Sequence, residues 1–267
     1  MLRTRRPALL AMLAGFLVLA SCSPGPTFPP AAGRADYQIG GAYRPDDDVA
    51  IVIRDVADTP VAGRYNICYV NAFQTQPGTL PRWRREHPGL VLSKAGAPVT
   101  DPDWPGEALL DTSTPANRTA IVSVIGKDLE RCAQAGFDAV ELDNLDSYLR
   151  SGGRISPADN AAMAGLLARR AHSLGMAAAQ KNAPEIGDAG RRAGLDLAVA
   201  EECQVYDECD HYTRLYGSRV IEIEYTDNGV RAFEQACRAR GSRISVLLRD
   251  RDVVPRGRRG HVARWCS

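Results

Sequence analysis

Eight short apolar runs, separated in the second half by helical stretches, constrain the fold of this 267-residue chain more than any other feature. They occupy 38–40, 50–54, 65–70, 137–143, 176–181, 195–200, 219–225 and 243–248. Several are nearly continuous in Val, Ile, Leu and Ala, as strands buried on both faces are. The stretches between the later runs carry helix punctuation. Thr114-Pro115 opens one helix and Gly136 stops it, since proline's missing N–H is no loss at a first helical position. Ser156-Pro157 opens a second, with Met163, Leu166, Leu167, Ala171 and Leu174 on one face and Gly175 at its end. A third covers 229–240 and ends at Gly241. Strand alternating with helix implies a parallel sheet, and eight strands predict an α/β fold, an irregular (β/α)8 TIM barrel, as a single domain over 37–267. The irregularity lies at the start, where little helix fits between the first three strands. An open doubly wound sheet is the alternative, but no GxGxxG or phosphate-loop lysine follows an early strand.

Ahead of the barrel lies a targeting signature. Arg3, Arg5 and Arg6 precede an apolar run over 8–20. That run is shorter than the ~20 residues a bilayer core requires, but it suits a secretory signal. Residues 1–21 read as a signal peptide, and Leu19-Ala20-Ser21-Cys22 resembles a bacterial lipobox, which makes Cys22 the expected lipidation site. A plain cleavage site is the alternative. Residues 22–36, rich in Pro, Gly and Ala, read as a tether. The protein is therefore expected to be exported, held to the outer face of a membrane by lipid or secreted. Thr4-Arg5-Arg6 leaves the twin-arginine route open beside the general one. A monomer is expected.

Export sets the redox chemistry. Six cysteines accompany Cys22, and an even number outside the cytoplasm favours disulfides over metal. Cys203 and Cys209 are close enough to staple one loop. Cys68 with Cys132 and Cys237 with Cys266 is one completion among several. The histidines at 87, 172, 211 and 261 have no zinc spacing, so neither metal nor cofactor is expected. The chain has 33 basic and 32 acidic residues, and loss of the three leader arginines turns that balance slightly acidic. No general basic field exists for nucleic acid. The arginine-rich stretch over 249–259 reads as an ordinary solvated loop.

The later runs end in polar residues: Glu141-Leu142-Asp143-Asn144, Lys181-Asn182, Glu201-Glu202-Cys203, Glu222-Ile223-Glu224-Tyr225 and Arg249-Asp250. In a barrel these ends share one rim, where barrel active sites sit. Alternation puts Glu141 with Asp143 on one face and Glu222 with Glu224 on one face. Any single acid is more simply read as a loop cap or an arginine partner. A whole rim of carboxylates without a Ser–His or Cys–His pair fits glycosyl transfer, in which one carboxylate stays ionised and another delivers a proton.

In register along the chain stand Tyr65-Asn66-Ile67-Cys68-Tyr69-Val70-Asn71, Leu110-Asp111, the block from Gly136 to Tyr148, Gln180-Lys181-Asn182, Ala200-Glu201-Glu202-Cys203, Tyr206-Asp207-Glu208-Cys209 and Ile223-Glu224-Tyr225. From about Tyr37 to Asp252 this pattern resembles glycoside hydrolase family 114, the endo-α-1,4-polygalactosaminidases. The resemblance implies a (β/α)8 barrel that hydrolyses α-1,4-linked galactosamine-rich polysaccharide with retention. By motif position it implies Asp143 as nucleophile and Glu201 as general acid/base. Ala200 and Glu202 stand where family members often carry Asn and Gln, and Glu202 adds a like charge beside Glu201. Lys181, one of only three lysines, is expected to bind a sugar hydroxyl or hold Asp143 ionised. Asp111, Asn144, Asp146, Asn182, Glu224, Tyr225 and Tyr69 are the remaining expected substrate contacts, and Tyr43, Tyr148 and Trp104 are candidates for stacking on sugar faces.

The implied partner is a cationic amino-sugar polysaccharide, which an acidic rim attracts and salt screens. The alternatives are a non-catalytic, polysaccharide-binding cell-surface lipoprotein and a glycosidase of different sugar specificity.

Overall fold

The computed structural model describes residues 25–266, so the expected signal peptide and Cys22 lie outside the described residues. Eight parallel strands follow one another in sequence order: β1 (Ala35–Tyr37), β2 (Ile51–Asp55), β3 (Tyr65–Asn71), β4 (Ala139–Asp143), β5 (Ala177–Lys181), β6 (Leu197–Glu201), β7 (Val220–Tyr225) and β8 (Ser245–Arg249). A ninth, β9 (Ala263–Trp265), runs antiparallel to β8. The Trp265 indole donates to the Ala35 carbonyl at 2.6 Å, which brings β9 against β1 and nearly closes the barrel. The expected (β/α)8 architecture is what forms.

Helices follow only the middle strands. After β3 come α1 (Leu80–Glu86) and α2 (Pro115–Ala135). Then α3 (Pro157–Ser173), α4 (Asp188–Ala193), α5 (Cys209–Tyr216) and α6 (Val230–Arg240) follow β4 to β7 in turn. Thr114 caps α2 by accepting from the Asn117 N–H at 3.1 Å, and Gly136 ends it at φ 95°, a left-handed angle that glycine adopts without strain. Ser156 and Asp159 form a reciprocal capping box at α3. Among the described residues no helix is long and apolar enough to cross a membrane.

Alternation decides what enters the barrel. Its lower interior holds Ala35, Ile51, Ile67, Ala139, Leu197 and Ile221, all buried. One or two pleats further, towards the C-terminal rim, the same inward positions become Tyr37, Tyr69, Asp143, Lys181, Glu201, Tyr225 and Arg249. The apolar lower layers stabilise the barrel, and the polar upper layer has chemistry to offer.

The first strand departs from expectation: it is Ala35–Tyr37, not 38–40. The chain turns at 39–40, where a Cβ on Gly40 would strike the Val253 carbonyl, so glycine is needed there. The described part of the Pro/Gly/Ala-rich segment lies against the lower end of the barrel. Thr27 accepts from the Tyr65 hydroxyl at 2.9 Å, Gly33 accepts from Ser245 Oγ at 2.6 Å, and Arg219 covers the Phe28 ring at 4.6 Å. Barrel contacts thus begin ahead of 37.

Three disulfides fasten the fold. Cys68 on β3 is joined to Cys132 on α2, Cys237 on α6 to Cys266 beyond β9, and Cys203 to Cys209 across the loop after β6.

Candidate active site

The C-terminal ends of the strands surround a cavity of about 400 Å3, within the ~300–1,000 Å3 of typical small-molecule sites. Lys181, at the end of β5 and 4% exposed, organises its floor. Its ammonium lies 2.9 Å from Glu141, 3.2 Å from Asp143, 3.4 Å from Glu201 and 2.9 Å from the Tyr37 hydroxyl. Burial disfavours the charged lysine, but Asp143, Glu141 and Glu201 outweigh it and raise the Lys181 pKa well above its usual value. It hydrogen-bonds to Asp143 and the Tyr37 hydroxyl and pairs with Glu141 and Glu201, and so holds the carboxylates in place.

Asp143 ends β4. Burial alone would push its carboxyl up, but Lys181, the Tyr69 hydroxyl at 2.6 Å and the Asn144 backbone N–H together hold it below the usual carboxylate range. Asp143 is ionised. Glu141, two residues back and fully buried, is pushed up by burial to about 7, with Lys181 opposing the shift and Asp143 adding to it. Glu201 ends β6. It accepts from the Tyr225 hydroxyl and, at 3.0 Å, from Asn182 Nδ2, while its own N–H donates to Asn182 Oδ1 at 2.8 Å. Asn182 reaches both atoms because its backbone turns left-handed, φ 45°, immediately after the strand.

Most of the expected site residues meet here: Asp143, Asn144, Asp146, Lys181, Asn182, Glu201, Tyr69 and Tyr225 all line the cavity. Trp104 stands at its wall, 62% exposed. Two expected contacts are elsewhere. Asp111 turns the chain ahead of α2, accepting from Ser113 N at 3.1 Å and Ser113 Oγ at 2.5 Å. Glu224 is fully buried on the outer face of β7, where it accepts from the Gln204 N–H at 2.9 Å. Glu222 shares that outer face and pairs with Arg240 of α6 at 2.9 Å. Tyr225, one residue on, therefore points inward. Tyr43 and Tyr148 are held by Asp36 and Glu185 and do not line the cavity.

Glu202 is turned away from Glu201. Its φ of 59° swings the side chain to Arg251, whose two terminal nitrogens lie 2.8 and 2.6 Å from its oxygens. That pairing holds Glu202 below the usual carboxylate range, so its charge is neutralised locally. The stretch over 249–259 is accordingly not all a solvated loop. Arg249 is fully buried, and Arg251 lies 4.1 Å over the Tyr225 ring.

Glu107 is the most consequential residue that the sequence does not mark. It lines the cavity at 7% exposure, accepts from Asn71 at 2.7 Å and from Asn144 at 3.3 Å, and burial pushes its carboxyl up to about 7. It sits on the long connection between β3 and α2, where no strand-end rule applies.

The family model described as glycoside-hydrolase family GH114 matches residues 18–267. The fold is similar to the crystal structure of Aspergillus fumigatus Ega3 in complex with galactosamine, with TM-score 0.69, 24% identity, and coverage of 90% of this chain and 98% of that one. It is also similar to the glycoside hydrolase domain of PelA from Pseudomonas aeruginosa, with TM-score 0.59, 16% identity, and coverage of 86% and 96%. No curated protein sequence matches the chain.

Proposed function

The chain belongs to glycoside-hydrolase family GH114, and from that footing we propose that it cleaves α-1,4-linked galactosamine-rich polysaccharide internally, with retention, using Asp143 as nucleophile and Glu201 as general acid/base. One observation carries the reading: a single buried ammonium touches both carboxylates at the floor of a rim cavity. The sum of its 3.2 and 3.4 Å contacts is the greatest separation the two facing oxygens can have. That bound admits the about 5–5.5 Å of retaining enzymes and reaches only the lower edge of the about 6.5–9.5 Å of inverting ones.

In this reading the ionised Asp143 attacks the anomeric carbon while Glu201 gives its proton to the departing glycosidic oxygen. An Asp143–sugar ester forms and the glycosidic bond breaks. Glu201, now a carboxylate, takes a proton from water, and that water displaces Asp143 from the anomeric carbon. Tyr69 and Lys181 keep Asp143 charged and aimed. Tyr225 and Asn182 fix the Glu201 carboxylate across from it.

A polymer of free galactosamine is a polycation, and around those two carboxylates the cavity wall offers Asp55, Asp103 and Glu107, besides Asp101 and Asp146, which pair with Arg150. The galactosamine bound by Ega3, a fold relative, supports the same sugar class. The three disulfides support export, and anchoring through Cys22 completes the proposal. Reducing-end release tests the reading on three polymers: de-N-acetylated galactosamine polymer, chitosan and polygalacturonate. Release from the first alone is expected. Release from chitosan instead would move the specificity, and binding without release from any would leave a polysaccharide-binding protein.

A further inference from the structure

Beside the rim cavity lies a second hollow, also about 400 Å3, and Asp146, Asn182 and Glu201 line both. The second hollow contains Glu201 but not Asp143. Of the six large apolar side chains that the described residues leave exposed, Trp104 lines the first hollow, and Leu149 and Tyr206 line the second. Half of those six thus border the two adjoining hollows.

The loop that presents Tyr206 is tightly built. Cys203 and Cys209 close it with their Cα atoms 4.8 Å apart. Inside that ring the Glu208 N–H donates to the Cys203 carbonyl at 2.8 Å, and the Tyr206 N–H ties the ring back to the Glu202 carbonyl just ahead of it at 3.0 Å. Tyr206 nevertheless stands 63% exposed. An aromatic ring held on a cross-linked loop over a hollow costs little to order when a ligand arrives. The lining includes no lysine or arginine. Arg251, Arg150 and Lys181 pair from outside it with Glu202, Asp146 and Glu201, which leaves Glu185 and Glu208 as its acids without an ion pair among the described residues.

We propose that the second hollow binds the leaving-group side of a polymeric amino sugar, with Tyr206 as stacking platform and Glu185 and Glu208 facing its ammonium groups. The inference rests on Glu201 being the general acid. The acid protonates the departing oxygen, so the arm that holds the acid and lacks the nucleophile receives the departing chain. Endo cleavage then follows from the cleft's having two arms.

The test compares Tyr206→Ala, Tyr206→Trp and Glu208→Gln with wild type on two substrates. One is the de-N-acetylated galactosamine polymer, and the other is α-galactosaminyl fluoride, whose single-atom leaving group does not reach the second arm. Tyr206→Ala should lower kcat/KM on polymer by about tenfold, the upper end of one aromatic contact's contribution. It should leave the glycosyl fluoride within about twofold. Tyr206→Trp should restore the polymer rate, and Glu208→Gln should flatten its salt dependence. An unchanged polymer rate in Tyr206→Ala would overturn the inference while the catalytic reading stands. An equal loss on both substrates would also overturn it, because Tyr206 would then act through the fold. A wild type inactive on both substrates would overturn the catalytic reading and this inference together.

Discussion

Tyr69 donates its phenol to Oδ2 of Asp143 at 2.6 Å, across the β3–β4 boundary and on the side of the carboxylate away from Lys181's contact with Oδ1. The two donors thus occupy different oxygens. They offset the burial that would otherwise protonate Asp143.

Tyr69→Phe removes one of those donors without opening a cavity. A hydrogen bond to a charged group contributes roughly 1.5–3 kcal/mol, so the Asp143 pKa should rise by about one to two units. The ionised form is the active one, and activity is lost as pH falls through the Asp143 pKa. The acid limb of the pH–rate profile should therefore move upward by about one to two units. A limb that stays in place would take Tyr69 out of the role assigned to it.

Glu202→Gln separates two neighbouring acids. Glu202 is committed to Arg251 and Asn228, so the variant should keep polymer hydrolysis within about threefold of wild type. Glu201→Gln should lose several powers of ten on polymer. Steady-state rates of the two variants decide the matter, and a reversal of the pattern would move the acid/base to Glu202.

Much of this was legible in the chain before folding. Strand positions after the first follow from apolar runs, the strand-end rule puts Asp143, Lys181 and Glu201 on the rim with several other acids, and the family resemblance singles out Asp143 and Glu201. Alternation is a relative rule, however. It pairs Glu222 with Glu224 correctly but cannot say which face is inside. Ile221 and Ile223, with Tyr225, take the interior, and the glutamates are left to Arg240 and Gln204 behind the strand. Helix α4 has only six residues, too short for an apolar period to appear. Glu107 and Arg251 enter the site from long connections, and only tertiary packing brings those connections over the rim.

Glu224 gives a pH signature independent of catalysis. Burial, opposed by the Gln204 N–H, pushes its carboxyl from 4.5 to about 7. A raised folded pKa means that its stability contribution is full below 4.5 and is lost as pH rises through about 7. Glu224→Gln keeps the hydrogen bond and removes the titration. Relative to wild type, the variant should gain melting temperature between pH 5 and pH 8. A constant Tm difference across that range would show that Glu224 does not titrate there.

The disulfides should differ in their contribution to stability. Cys203–Cys209 spans six positions and Cys68–Cys132 spans 64. In the chain-entropy model, removing the first costs roughly 2–3 kcal/mol and removing the second roughly 4 kcal/mol. Urea denaturation of the two Cys→Ala double variants measures both. A larger loss from the short loop would show that Cys203–Cys209 acts chiefly on the native state.

Trapping the covalent intermediate tests the central claim most directly. In Glu201→Gln, an aryl α-galactosaminide with a good leaving group should still glycosylate Asp143, because that departure needs no proton. Hydrolysis of the ester should stall without a general base. Intact-mass spectrometry should then show the protein heavier by one sugar residue, peptide mapping should place the adduct on Asp143, and azide should release it as the glycosyl azide with retained anomeric configuration. An adduct on any other carboxylate, or a glycosyl azide of inverted configuration, would contradict the account.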